Sequence, residues 1–115
     1  MKFNCLEKFI LDEEQAANYI MYALEFIYGW ENISYIKDPE LNEWTFSGYI
    51  NYEGKQKIIR IIDIKHCWKF LKLGLELKKN YPIDYVEVRE NKDNTCSFIV
   101  SYYLINNYAR ERKML

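Results

Sequence analysis

Apolar positions between residues 16 and 27 recur at helical spacing, with Ala16, Ile20, Ala23, Leu24 and Ile27 on one face. Asp12 stands just before this stretch and Gln15 three positions later, the spacing of a capping box. Glu13 and Glu14 fall in the first turn, where the helix dipole favours anions, and Gly29 supplies the stop. The pattern predicts a first helix over 12–28. Ahead of it Phe3, Cys5, Glu7 and Phe9 alternate weakly, so residues 1–11 read as a lead-in or an edge strand.

A period of two then takes over. A short strand is expected over 33–37, closed by Asp38-Pro39-Glu40. A second over 44–52 places Trp44, Phe46, Ile50 and Tyr52 on one face, and Gly48 on that face marks a close approach. Glu53-Gly54 reads as a two-residue hairpin into a strand over 55–64. That loop would set Gly48 opposite Ile59 and Phe46 opposite Ile61, leave Ile58 and Ile62 on the other face, and make the strand central. Helical spacing returns over 65–79, ended by Asn80 and Pro82. Two last strands, 83–90 and 95–106, share a face through Val86, Val88, Phe98 and Val100. This requires an odd-length loop, met by Lys92-Asp93-Asn94 with Asn94 left-handed. Residues 107–115 form a polar tail. The order α-β-β-β-α-β-β predicts one α+β domain over 1–115, two helices packed on an antiparallel sheet of about five strands.

Composition narrows the chemistry. A net charge of −1 argues against a surface that is one large nucleic-acid trap, and equally against a DNA mimic. Cys5, Cys67 and Cys96 are odd in number and widely spaced, which points to reduced thiols in a cytoplasmic protein. Glu7, Lys8 and Asp12 interrupt any signal-peptide core, and no run is long enough to span a membrane. Abundant Lys, Ile, Asn and Tyr with few alanines fit AT-rich coding, as in a low-GC bacterium or its phages. Eleven tyrosines, six phenylalanines and three tryptophans stand beside one histidine, which tilts the expectation toward binding surfaces and away from catalysis.

The second helix carries a polar stripe of Lys65, Lys69, Lys72, Glu76 and Lys79 between two apolar seams, His66/Phe70/Leu73/Leu77 and Cys67/Trp68/Leu71/Leu75, with Gly74 between the seams. The surplus seam is either core or a partner surface, a homodimer included. Lys65, Lys69 and Lys72 are the candidates for phosphate contact. The α-β-β-β-α order over 12–79 resembles that of a double-stranded-RNA-binding domain in element order alone. The Gly-rich and Lys-Lys-x-Ala-Lys features of that family are missing, and Trp68 and Phe70 occupy the place of its lysine cluster.

On the first helix Tyr19, Tyr22 and Phe26 follow Gln15 on a stripe away from the core face, a spacing that suits protein contact. The last hairpin should show Tyr85, Glu87, Arg89, Ile99, Ser101 and Tyr103 on its outer face, where rings and an arginine suit a protein partner or stacked bases. Asp63, His66 and Cys67 are the residues closest to catalytic equipment, but helix neighbours point ~100° apart and make no dyad. No metal-ligand spacing, nucleotide-binding motif or cofactor signature occurs. The expectation is a small non-enzymatic protein that occludes a macromolecular partner through Tyr19, Tyr22, Phe26, Tyr85, Glu87, Arg89 and Tyr103. It resembles phage anti-defence inhibitors, anti-CRISPR proteins among them, and toxin immunity proteins in being short, aromatic-rich and free of motifs. The alternative is a domain binding RNA or single strands through the lysines and the hairpin rings.

Overall fold

In the computed structural model, which describes residues 5–50 and 55–104, the chain runs β1 (Cys5–Leu11), α1 (Glu13–Tyr28), β2 (Trp30–Asp38), β3 (Glu43–Ile50) and β4 (Lys55–Asp63). A 3-10 turn over Ile64–His66 leads to α2 (Trp68–Lys79), β5 (Ile83–Glu90) and β6 (Cys96–Leu104). The α+β class holds, but the single sheet of about five strands does not. Six strands form two antiparallel three-stranded sheets, ordered β1-β6-β5 and β2-β3-β4. The cause is β1. It pairs with β6 in the register Phe9↔Val100 and Leu11↔Phe98, so β6 has a neighbour on each side and the middle three strands stand as their own sheet. The Glu53-Gly54 turn, the side chain of Cys5 and the 107–115 tail lie outside the described residues.

The sequence signals at the ends of α1 are realised. Asp12 accepts from the Gln15 N–H at 2.8 Å while the Gln15 side chain accepts from the Asp12 N–H at 3.0 Å. Gly29 adopts φ 72°, and its N–H donates to the carbonyls of Glu25 and Leu24. Ala16, Ala17, Ile20, Ala23 and Leu24 are buried, whereas Ile27, expected in the core face, is 43% exposed. Elsewhere among the described residues, left-handed backbone falls on four asparagines, Asn32, Asn42, Asn80 and Asn94. Asn80 is the C-cap of α2, and Asn94 takes the position expected for it in the last hairpin.

That hairpin has the register its parity requires, Val86↔Val100 and Val88↔Phe98. The β3–β4 register differs by one from the expected one. Phe46 faces Arg60 and Gly48 faces Ile58, because Lys55 pairs with Ile50, two positions before a two-residue turn would place it, and the extra residue on β4 at the Gly48/Tyr49 irregularity recovers only one of them. A one-residue slip exchanges faces, so Ile62 is buried and Ile61 is 61% exposed. β4 is also an edge strand and not a central one. At Gly48 an added Cβ would sit 3.0 Å from the Trp30 ring and 3.1 Å from the Glu31 carbonyl, which explains the missing side chain there.

One core joins both sheets to both helices through Leu11, Ile20, Leu24, Trp44, Phe46, Leu71, Leu75, Phe98 and Val100. The sheets meet where their hairpin ends meet. Trp44 of β3 stacks on Phe98 of β6 at 5.9 Å, and the Asn94 side-chain amide donates to the Pro39 carbonyl at 2.9 Å. Glu13 completes the junction. One of its carboxylate oxygens accepts from Lys37 Nζ of β2 at 2.7 Å, and the other from the Cys96 N–H of β6 at 2.6 Å. The helices touch backbone to backbone at Gly74, where a Cβ would overlap the Tyr19 carbonyl.

Two stability measurements follow from these contacts. Gly74→Ala should lower the denaturation free energy by about 1–3 kcal/mol from overpacking. Its helix-propensity gain of ~1 kcal/mol is too small to offset separating α1 from α2. Glu13→Gln, which removes the charge from two short hydrogen bonds, should cost about 1.5–3 kcal/mol in chemical denaturation.

Candidate functional site

Strand alternation sorts sheet β1-β6-β5 into a core face and an outer face. Tyr85 stands opposite Ser101, Glu87 opposite Ile99 and Arg89 opposite Ser97, while β1 adds Ile10 opposite Ile99 and Lys8 opposite Ser101. The outer face therefore gathers Ile10, Tyr85, Ile99 and Tyr103. Ile10 is 68% exposed, Tyr85 57% and Tyr103 41%. Ser101, expected on this face, is buried within it. The Tyr103 hydroxyl donates to Asp84 at 2.9 Å, and this bond to a carboxylate raises the phenol's pKa above its ordinary value. Arg89 Nε donates to Glu87 at 2.8 Å, which raises the guanidinium pKa in turn. Two rings and an aliphatic pair thus lie beside an exposed, self-paired charge couple. Tyr102, the next residue in the alternation, turns inward and stacks on Tyr81 at 4.8 Å and against Phe9 at 5.5 Å.

The flank of α1 is a different environment from the open stripe its spacing predicts. Tyr19 is half-buried against the core, and its carbonyl lies at Gly74. Tyr22 is half-buried, with Lys78 Nζ of α2 4.7 Å above its ring and the Phe26 ring 4.4 Å away. Phe26 alone is well exposed, at 60%. Close helix packing through a glycine brings α2 over this stripe. That proximity has no local sequence signature.

The three candidate lysines, Lys65, Lys69 and Lys72, are also not brought together as an open basic stripe. Lys65 lies in the 3-10 turn and pairs with Glu90 at 2.7 Å, which raises its pKa. Lys69 Nζ sits 5.6 Å from the centre of the Trp68 ring, and Lys72 is half-buried. Lys65, Trp68 and Lys72 form one wall of a groove of about 590 Å³ whose other wall is β5, including Val86, Val88 and Glu90. Asp84 and Glu87 border the same groove, so its cations are matched by carboxylates. Trp68, one member of the Cys67/Trp68/Leu71/Leu75 seam, is 42% exposed here, because α2 turns Cys67, Leu71 and Leu75 inward and leaves the tryptophan at the rim. The sequence reading missed this groove. Its one signal was the surplus apolar width of the helix.

The candidates near the start of α2 do not form a catalytic unit. His66 is largely exposed, with Nδ1 3.2 Å from Asp63 Oδ2. Asp63 also accepts from the Lys65 N–H at 2.9 Å, capping the turn. Cys67 is fully buried, and burial pushes its thiol from the ordinary 9.0 up to about 12. A thiol so placed is not held as a thiolate nucleophile. Cys96 is buried as well, and burial raises its pKa. Among the described residues no group of three or more His, Cys, Asp or Glu side chains is arranged to hold a metal ion, and no helix is long and apolar enough to cross a membrane.

Comparison with family models, with curated proteins and with solved structures finds no match for the chain. The α-β-β-β-α order read from the sequence is present as α1-β2-β3-β4-α2, but β1, β5 and β6 add a second sheet to the same core.

The Cys67 thiol sets an alkaline limit. Its folded pKa lies above the unfolded value, so its contribution is complete below pH 9.0 and is lost as pH rises toward about 12. Denaturation free energies measured across that window should fall less steeply in Cys67→Ala than in the parent chain.

Proposed function

We propose that the chain is a small protein-binding module whose contact surface is the outer face of sheet β1-β6-β5, and that it acts by occluding a macromolecular partner. The observation that carries this reading is the exposure of Ile10, Tyr85 and Tyr103 on one strand face with a charged border at Glu87–Arg89. Tyrosine and arginine concentrate in the energetic centres of protein interfaces, because a rigid ring buries area with little entropy to lose. The Tyr103–Asp84 hydrogen bond fixes one ring in advance, which lowers the ordering cost of association. Phe26 and the Tyr22 ring at the end of α1 form a second, smaller contact surface, while Tyr19 belongs with the helix–helix packing.

The lysines favour protein over phosphate as the partner. Lys65 already holds Glu90, and Lys72 shares its groove with Asp84 and Glu87, so their charge is offset where a phosphate would have to sit. The free thiols Cys67 and Cys96 fit a reducing cytoplasm, in the host or the infected cell. A phage anti-defence protein and a toxin immunity protein are the two roles this reading supports.

The test is affinity capture from the native bacterial host, comparing the parent chain with Tyr85→Ala and Tyr103→Ala. A partner held by the parent should bind the variants about tenfold or more weakly, a loss of ~1–3 kcal/mol, with the melting temperature nearly unchanged. Equal capture by all three proteins would overturn the assignment of this face. Binding that instead weakens linearly in log salt and is competed by RNA would replace it with the nucleic-acid reading.

A further inference from the structure

The edge of β5 carries a pairing code of its own. In an antiparallel ladder, alternate residues direct their N–H and C=O groups toward the neighbouring strand, and those between direct theirs away. The Asn91 N–H donates to the Thr95 carbonyl at 2.8 Å, and 91/95 continues the β5–β6 register. The inward-bonding residues are therefore 91, 89, 87 and 85. Val86, Val88 and Glu90 direct their backbone groups away from β6. β5 is the edge of its sheet, so these groups face the groove beside α2, and the same three residues line that groove.

We infer that this edge pairs with β5 of a second copy of the chain, antiparallel and centred on Val88, to give a two-fold dimer with one continuous six-stranded sheet. Charge complementarity selects the occupant and the register. A two-fold pairing of this edge that keeps the core faces together is centred on a single residue. Centring on Glu87 sets two carboxylates directly opposite each other, which is unfavourable. Centring on Val88 sets Glu87 of each copy opposite Arg89 of the other, twice. These are non-hydrogen-bonded positions, where facing side chains come closest.

The core side agrees. The same register sets Glu90 of the second copy beside Val86. α2 runs antiparallel to β5, as the Lys65–Glu90 and Glu76–Ile83 contacts at its two ends show, so Lys72 lies at the level of Val86. Lys72 of one copy thus meets Glu90 of the other. Trp68 at the groove rim gives apolar cover next to the new strand pair.

Both edges of the other sheet are interrupted, β2 by a register irregularity between Glu31 and Ser34 with Asn32 left-handed, and β4 by the extra residue opposite Gly48/Tyr49, features that discourage strand addition. β5 runs without interruption from Tyr85 to Glu90. Pairing there also brings the Tyr85 surfaces of two copies onto one sheet. The dimer does not rest on the partner assignment above and is tested without any partner.

Light scattering and analytical ultracentrifugation of the parent chain should show a dimer that dissociates on dilution. Glu87→Arg and Arg89→Glu should each weaken it by about tenfold or more, since each places like charges opposite one another twice. The double exchange E87R/R89E should restore it, with circular dichroism confirming the fold in all three variants. A parent chain that is monomeric at every concentration would overturn the proposal. So would a dimer that survives both single exchanges, or a folded double exchange that stays monomeric.

Discussion

One carboxylate ties the first helix to both sheets of this architecture. Glu13 stands in the first turn of α1, where the helix dipole already favours an anion, and its two oxygens reach strands of different sheets. Neither sheet covers its apolar face alone, and three strands need a packed layer to be stable. The helices supply that layer for both sheets at once, and this works only if the sheets are held at a fixed offset. The Glu13 clasp, the Trp44–Phe98 stack and the Asn94–Pro39 bond set that offset. Lys37 adds a fourth tie by donating to the Asn94 carbonyl at 3.1 Å. Breaking the carboxylate therefore disturbs more than one hydrogen bond, because the halves of the core are aligned through it.

The elements legible in the sequence are those whose signals are local. The capping box at Asp12 and Gln15, the stop at Gly29 and the parity of the last hairpin all act within a few residues, and each is realised. β1 was ambiguous because its alternation is weak and its stability comes from β6, some ninety residues away in the chain. The division into two sheets follows from that one pairing and so was hidden with it. The slip at Gly48/Tyr49 was hidden for another reason: one extra residue on β4 leaves the hydrophobic count unchanged while exchanging Ile61 and Ile62 between faces.

The candidate surface divides in the same way. Strand alternation determines which side of β5 and β6 a residue occupies, so Tyr85, Glu87, Arg89 and Tyr103 fall together as expected. The α1 stripe depended on what lies beside the helix. The missing Cβ of Gly74 lets α2 approach closely enough for Lys78 to reach over Tyr22. The lysine stripe was real as a helical face, yet its charge is set by the carboxylates of β5, a strand that follows it in sequence and folds back alongside.

The four left-handed asparagines have a consequence for the disordered chain. A glycine at each of those sites would meet the backbone requirement without strain, but it would also widen the range of conformations the unfolded ensemble visits. Asparagine tolerates the same geometry with fewer alternatives to give up, and at Asn94 its side chain also reaches the Pro39 carbonyl. With only four glycines in 115 residues, this chain enters folding with less backbone freedom to lose. Part of its stability is thus held in the state where none of its contacts exist.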